Sequence, residues 1–118
     1  MRLRVRTAVA ALAIVLGCCG CGLGPGAPTK GISLTVTGGF GSRHISTVSR
    51  SKVPGSETVM RMLERSFKVS TRYGGGFVES IDGLAPSGSG SDWFYYINGV
   101  QASKGAAATA VHAGDHIW

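Results

Sequence analysis

Cysteine is absent from most of this sequence. The three cysteines of the 118-residue chain, Cys18, Cys19 and Cys21, all lie within its first 21 residues. The folded part of the chain therefore has no disulfide and must be stabilised by its hydrophobic core. A metal site built on these cysteines would need further ligands, and the glycine- and proline-rich residues around them include no histidine. The sequence therefore disfavours a metal centre in this segment.

A hydrophobic run long enough to cross a membrane is also missing. The apolar run at residues 7–16 has ten residues, whereas a membrane-spanning helix needs about 20. It follows Arg2, Arg4 and Arg6, and a charged start before a short apolar core is typical of a secretory signal peptide. We therefore expect residues 1–17 to be removed on export.

The end of the apolar run indicates a lipid anchor. Val15, Leu16 and Gly17 precede Cys18, and this order resembles the lipobox of bacterial lipoproteins, whose cysteine is acylated with a fatty acid such as palmitate. The resemblance implies that Cys18 is anchored at the extracytoplasmic face of the cell membrane, with residues 18–30 as a flexible tether. Two alternatives stay open: attachment at Cys19 or Cys21, and an ordinary cleaved signal without an anchor.

Clustered positive charge is missing from the mature chain. The net charge of +6 includes the three arginines of the signal, which leaves about +3 on dispersed lysines and arginines. Nucleic-acid binding favours clustered basic residues with stacking aromatics, so the sequence disfavours that partner. With 43% hydrophobic and 15% charged residues, the remaining chain is expected to fold as one small domain over residues 31–118.

Catalytic motifs are absent as well. The chain has no Gly-x-Ser-x-Gly elbow, and the glycines at residues 74–76 are not followed by the Gly-Lys-Ser/Thr of a phosphate-binding loop. A turn could bring His112, Asp115 and His116 together, but no fourth metal ligand is identifiable and the Gly-Asp pair is explained by the turn. We therefore expect a non-catalytic protein with no metal and no cofactor.

The residues that are present predict an α+β fold. Residues 32–37 alternate apolar and hydroxyl side chains, which predicts a strand that buries Ile32, Leu34 and Val36. A second strand is expected at residues 43–53. Ile45 and Val48 are out of phase there, which favours a bulge or an edge position.

One helix is expected after the second strand. Ser56 is the predicted N-cap, and a single helix can cover one face of a small sheet but not both. The predicted apolar face consists of Val59, Met60, Leu63 and Phe67. The predicted i,i+4 ion pairs on the solvent side are Glu57 with Arg61 and Glu64 with Lys68.

Short strands are expected in the remainder. Residues 69–73 and 77–81 precede a turn at Asp82 and Gly83, and residues 93–97 form an aromatic strand closed by the hairpin signal Asn98-Gly99. The last strand, residues 116–118, is expected to leave an open edge that can pair with another chain. The strand pattern stops at Trp118, which favours a longer native protein.

This order resembles a known family. The segments that carry the resemblance are residues 54–59, 80–84, 93–99 and 113–118. Together they look like the β-grasp C-terminal domain of transcobalamin and intrinsic factor and its bacterial surface relatives. The resemblance implies one helix across a small mixed sheet. In the vitamin carriers it also implies closure over cobalamin held against a large α-helical barrel. This chain has no room for such a barrel, so another molecule would have to supply that half of the pocket.

The aromatic strand is the candidate binding surface. Trp93 and Tyr95 should point to one face of the sheet and Phe94 and Tyr96 to the other, so one pair is expected on the face that the helix leaves uncovered. We expect a lipid-anchored envelope protein that binds a small ligand, with cobalamin-like molecules as one candidate, or a protein partner through these four residues. The alternative is a structural or adhesion module that makes protein–protein contacts.

Overall fold

The computed structural model describes residues 29–87 and 91–118. The predicted signal peptide, the predicted lipidation site Cys18 and most of the predicted tether lie outside the described residues. In the described part of the chain, no helix is both long and apolar enough to span a bilayer.

The first two strands form a long antiparallel hairpin. Strand β1 spans Thr29–Gly38 and β2 spans Arg43–Val53. Ile32, Leu34 and Val36 are buried, as predicted from the alternation along β1. The pairing register shifts after Val36, where Ile45 is the extra residue on β2, so a bulge is confirmed. Strand β2 is also an edge strand, so both features expected from its irregular pattern are present.

Helix α1 spans Val59–Ser66, and the predicted N-cap is wrong. Thr58, not Ser56, caps the helix, because its hydroxyl accepts a hydrogen bond from the Arg61 N–H at 3.2 Å. Ser56 lies in the preceding turn, where its carbonyl oxygen accepts a hydrogen bond from the Arg61 guanidinium at 3.0 Å. The buried helix residues are Val59, Met60, Met62 and Leu63, and Phe67 is the partly buried C-cap.

The predicted solvent-side ion pairs of the helix are also wrong. Glu57 is only 2% exposed, because it precedes the helix and backbone hydrogen bonds to Pro54 and Val111 hold it beneath the first turn. Its carboxylate lies 3.6 Å from the Arg65 guanidinium rather than beside Arg61. Lys68 lies beyond the last helical residue, so it lacks the helical spacing needed to pair with Glu64.

The chain after the helix forms a ribbon and three very short strands. Strands β3 (Val69–Arg72) and β4 (Phe77–Ile81) make a separate two-stranded antiparallel sheet, which we call the ribbon. Strands β5 (Tyr96–Ile97) and β6 (Val100–Gln101) form the predicted hairpin, and Asn98 and Gly99 have the positive φ angles of 51° and 83° that its turn requires. A 3₁₀ helix at Ala106–Ala108 precedes β7 (His116–Ile117). The aromatic strand is therefore paired over only two of its five predicted residues.

The larger sheet is mixed and has the order β2-β1-β7-β5-β6. Strand β7 is parallel to β1 and antiparallel to β5. The expectation that the last strand forms an open edge is therefore wrong, because β7 lies between two strands and buries Ile117 against the core. Among the described residues, one α-helix packed on a small mixed sheet confirms the α+β, β-grasp-like fold class.

Candidate binding groove

An open groove of about 640 Å³ lies where helix α1, the β3–β4 ribbon and the turn end of the β1–β2 hairpin meet. Its floor belongs to the hydrophobic core. The core residues that line it are Leu34, Val36, Val59, Met60, Leu63, Ile81 and Ile117. A concave apolar surface of this size is typical of a small-molecule site.

Large apolar side chains stand exposed around the groove. Phe40 is 94% exposed, Phe94 is 55% exposed and Trp118 is 41% exposed, and Phe77 and Leu84 are also accessible. We call these five residues the rim. Apolar side chains gathered around one concavity indicate an interaction site, whereas scattered ones do not.

All four predicted aromatic residues line the groove. Trp93 and Tyr95 pack against the core, and Phe94 points away to solvent. Tyr96 lies against Trp118, with ring centroids 5.2 Å apart. The predicted alternation is therefore visible, although residues 93–95 are not paired as a strand.

The Tyr95 hydroxyl holds in place the loop after β6, which forms one wall of the groove. It donates to the carbonyl oxygen of Lys104 at 2.5 Å and lies 2.8 Å from the Thr109 hydroxyl. The Thr109 hydroxyl donates in turn to the carbonyl oxygen of Gly105 at 3.1 Å. These bonds tie the loop after β6 to the aromatic segment, so the wall is preorganised.

Trp118 is positioned by a contact that only glycine permits. A side-chain carbon added at Gly41, in the β1–β2 turn, would lie 2.6 Å from the Trp118 ring, and Gly41 has a φ of +85°. The Trp118 and Tyr96 backbones are joined by two hydrogen bonds, of 2.6 and 2.9 Å. The indole therefore reaches from β7 to the turn along one side of the groove.

Charged side chains are few among the described residues that line the groove. Arg43, Asp92 and Lys104 line it, and none of them joins an ion pair in the described part of the chain. The Trp93 indole N–H is buried and has no acceptor among residues 29–87 and 91–118. An unsatisfied buried donor costs about 1–3 kcal/mol. The groove thus offers a ligand an apolar floor together with charged, hydroxyl and amide side chains.

The ribbon that borders the groove carries a close ion pair. The Arg72 guanidinium donates two hydrogen bonds to one carboxylate oxygen of Glu79, one of them at 2.8 Å. These hydrogen bonds lower the pKa of Glu79 and raise the pKa of Arg72. The pair links β3 to β4, beside Phe77 of the rim.

The structure brings together two side chains of the second candidate cluster, because His112 Nδ1 lies 3.6 Å from the Asp115 carboxylate, and it separates the third. Asp115 accepts hydrogen bonds from the His112 backbone N–H at 2.7 Å and from the Asn98 amide at 3.0 Å. The His116 ring instead lies 2.6 Å from the Ser33 hydroxyl. Among the described residues, no group of three histidine, cysteine or acidic side chains is arranged to hold a metal ion. Asp115 holds the turn before β7 and the β5–β6 turn together.

Four rim residues were not predicted from the sequence. Phe40 had a signal that would have identified it, since a phenylalanine between glycines in a tight turn has no neighbours to bury it. Phe77, Leu84 and Trp118 had no such signal, because their exposure depends on how the ribbon and β7 pack.

Comparisons with known proteins identify a family. Residues 56–118 match a family described as a domain of unknown function, DUF4430. No curated protein matches the chain, and no solved structure does. The matched region contains helix α1 and every later strand, so it includes four of the five rim residues and more than half of the chain. The chain belongs to the DUF4430 family.

Proposed function

We propose that this chain is a lipid-anchored, non-catalytic binding protein of the cell envelope that holds a ligand with an apolar body in the groove. The observation that carries the proposal is the groove itself, with its core-lined floor and its rim of five exposed apolar side chains. Burying such a rim against an apolar ligand gains about 25 cal/mol per Å². Anchoring at Cys18 is proposed from the lipobox-like order that ends at that residue.

A cobalamin-like ligand is proposed from the resemblance to the transcobalamin C-terminal domain. A corrinoid is too large for a groove of about 640 Å³ to enclose. The groove would cover one side of such a molecule, and a second protein would cover the other. Smaller amphipathic molecules fit without a second protein.

Titration with two probes tests binding. The purified chain is titrated with cobalamin and with the apolar dye anilinonaphthalene sulfonate, and tryptophan and dye fluorescence are followed. We expect Phe94→Ala to weaken binding of at least one probe by about five-fold, equivalent to about 1 kcal/mol of lost contact. The matched control is Val100→Ala, since Val100 is 70% exposed but lies outside the groove.

The outcomes separate the two candidate functions. Equal affinities for the original chain, Phe94→Ala and Val100→Ala would contradict ligand binding in the groove. If neither probe binds, the structural or adhesion module becomes the better proposal. The anchor is tested separately, because Cys18→Ala should release the exported protein from the membrane, and unchanged retention would refute it.

A further inference from the structure

A second, smaller cavity lies between strand β2 and helix α1. Its volume is about 180 Å³, and none of the residues that line it also lines the groove. We call this cavity the basic pocket. The residues that line it are Arg50, Lys52, Val53, Pro54, Glu57, Met62 and Arg65. The basic pocket is therefore separate from the site of the proposed function.

The Glu57 carboxylate is the buried charged group of the basic pocket. Its side chain is only 1% exposed, and two backbone hydrogen bonds, of 3.0 Å to Pro54 and 3.1 Å from Val111, fix its position. Arg65 Nη1 lies 3.6 Å from Glu57 Oε2, which is too far for a hydrogen bond. Glu57 Oε1 has no hydrogen-bond partner in the part of the chain that the structure describes. Because buried carboxylates are normally hydrogen-bonded, this side chain indicates a site for a hydrogen-bond donor.

Three basic side chains line the same pocket. Arg50 and Lys52 lie on β2 and are exposed, and the Arg65 side chain on α1 is 56% exposed. The Arg50 guanidinium donates to the Ser66 hydroxyl at 3.4 Å, so it is directed towards helix α1. Neither Arg50 nor Lys52 joins an ion pair with any other described residue. Three positive charges against the one negative charge of Glu57 favour an anion and disfavour a metal ion or an ammonium group.

The Glu57 carboxylate restricts the kind of anion that fits. An oxyanion without a proton has only acceptors, so its oxygens would repel this carboxylate. Sulfate carries no proton at neutral pH. Inorganic phosphate keeps at least one, and a phosphate monoester releases its last proton with a pKa of about 6. A phosphate O–H can donate to Glu57 while the other phosphate oxygens accept from the basic side chains.

We propose that the basic pocket binds a protonated phosphate group. Glu57 accepts the phosphate O–H, and Arg50, Lys52 and Arg65 donate to the remaining oxygens. This site goes beyond the proposed function, because it shares no residue with the groove and needs no ligand there. Two sources carry the same chemical group: free inorganic phosphate, and the phosphate monoester headgroup of phosphatidic acid.

Isothermal titration calorimetry with two anions tests the site. The full chain is titrated with sodium phosphate and with sodium sulfate at neutral pH and equal ionic strength. We expect phosphate to bind at least about ten-fold more tightly than sulfate. Glu57→Gln keeps the size of the side chain but supplies an amide N–H, which can donate to either anion. This variant should therefore bind the two anions with affinities within about two-fold of each other.

A second pair of variants tests the basic side chains without disturbing a buried residue. Lys52→Ala removes an exposed charge that lines the pocket, and it should weaken phosphate binding by about five-fold. The matched control is Lys68→Ala, because Lys68 is equally an exposed lysine but lies outside the pocket. Equal affinities of the original chain for phosphate and sulfate would overturn the proposal. Equal weakening by Lys52→Ala and Lys68→Ala would also overturn it, since it would indicate non-specific attraction to a basic protein.

Vesicle binding distinguishes the two sources of the phosphate group. Phosphatidylcholine vesicles carry either phosphatidic acid, a monoester, or phosphatidylglycerol, a diester without a phosphate proton, at matched negative charge. Tighter binding to phosphatidic acid that inorganic phosphate reverses would support the lipid headgroup. Equal binding to both vesicles, with the preference for phosphate over sulfate intact, would support free phosphate. Binding of the dye in the groove should be unchanged in Lys52→Ala, so failure of this proposal leaves the proposed function standing.

Discussion

Gly41→Ala is the sharpest test of how Trp118 is held beside the groove. The alanine side chain would meet the Trp118 ring at 2.6 Å, so the ring must move by about 0.8 Å to reach an ordinary 3.4 Å contact. The φ of +85° adds backbone strain, because an alanine rarely adopts that conformation. The substitution therefore lowers the free energy of unfolding in two ways, through the contact with the Trp118 ring and through backbone strain at residue 41. Only the first of these involves Trp118.

Gly75→Ala separates these two costs. Gly75 has a φ of +90°, and nothing lies within 4 Å of a side-chain carbon built on it. We expect Gly75→Ala to lower the free energy of unfolding by about 1–2 kcal/mol through strain alone. Gly41→Ala should lower it by about 1–3 kcal/mol more, the usual cost of forcing an extra carbon into a packed contact, here with the Trp118 ring.

Urea unfolding and tryptophan emission measure the two effects. All variants carry Trp93→Phe, so that emission reports Trp118 alone. We expect Gly41→Ala to shift the emission maximum to longer wavelength, because the displaced indole meets more water, and Gly75→Ala to leave it unchanged. Equal stabilities with equal emission maxima would refute the contact between the turn and Trp118.

Three further predictions follow from the structure. Thr58→Ala should lower the free energy of unfolding by about 1 kcal/mol in urea titrations, since it removes the N-cap, and an equal loss in Ser56→Ala would contradict that assignment. The Glu79 pKa is lowered, so its ion pair with Arg72 stabilises the ribbon above the ordinary glutamate pKa, and this contribution disappears as pH falls through the lowered value. In the original chain, amide hydrogen exchange in the ribbon should therefore become faster as pH falls through the lowered Glu79 pKa, beyond the intrinsic pH dependence of exchange. Glu79→Gln should remove this extra dependence, and an unchanged pH profile in that variant would refute the role of the ion pair. Tyr95→Phe should lower the free energy of unfolding by about 1 kcal/mol and speed hydrogen exchange in the loop after β6. Exchange equal to that of the original chain would show that the hydroxyl does not hold this loop in place.

The parts of the fold that local chemistry dictates were predictable from the sequence. Alternation along β1 identified Ile32, Leu34 and Val36 as buried, and the Asn98-Gly99 pair identified the β5–β6 hairpin. Each of these signals lies within a few neighbouring residues, where side-chain period or backbone conformation decides the outcome.

The parts that depend on distant contacts were not predictable in the same way. Val111 donates a backbone hydrogen bond to the Glu57 carbonyl, and no spacing near Glu57 reveals that contact or the resulting burial of its side chain. The position of β7 between β1 and β5 depends on pairing Ser33 with His116, 83 residues apart. The sequence identified the aromatic segment that lines the groove, but the groove's shape follows from such long-range pairings.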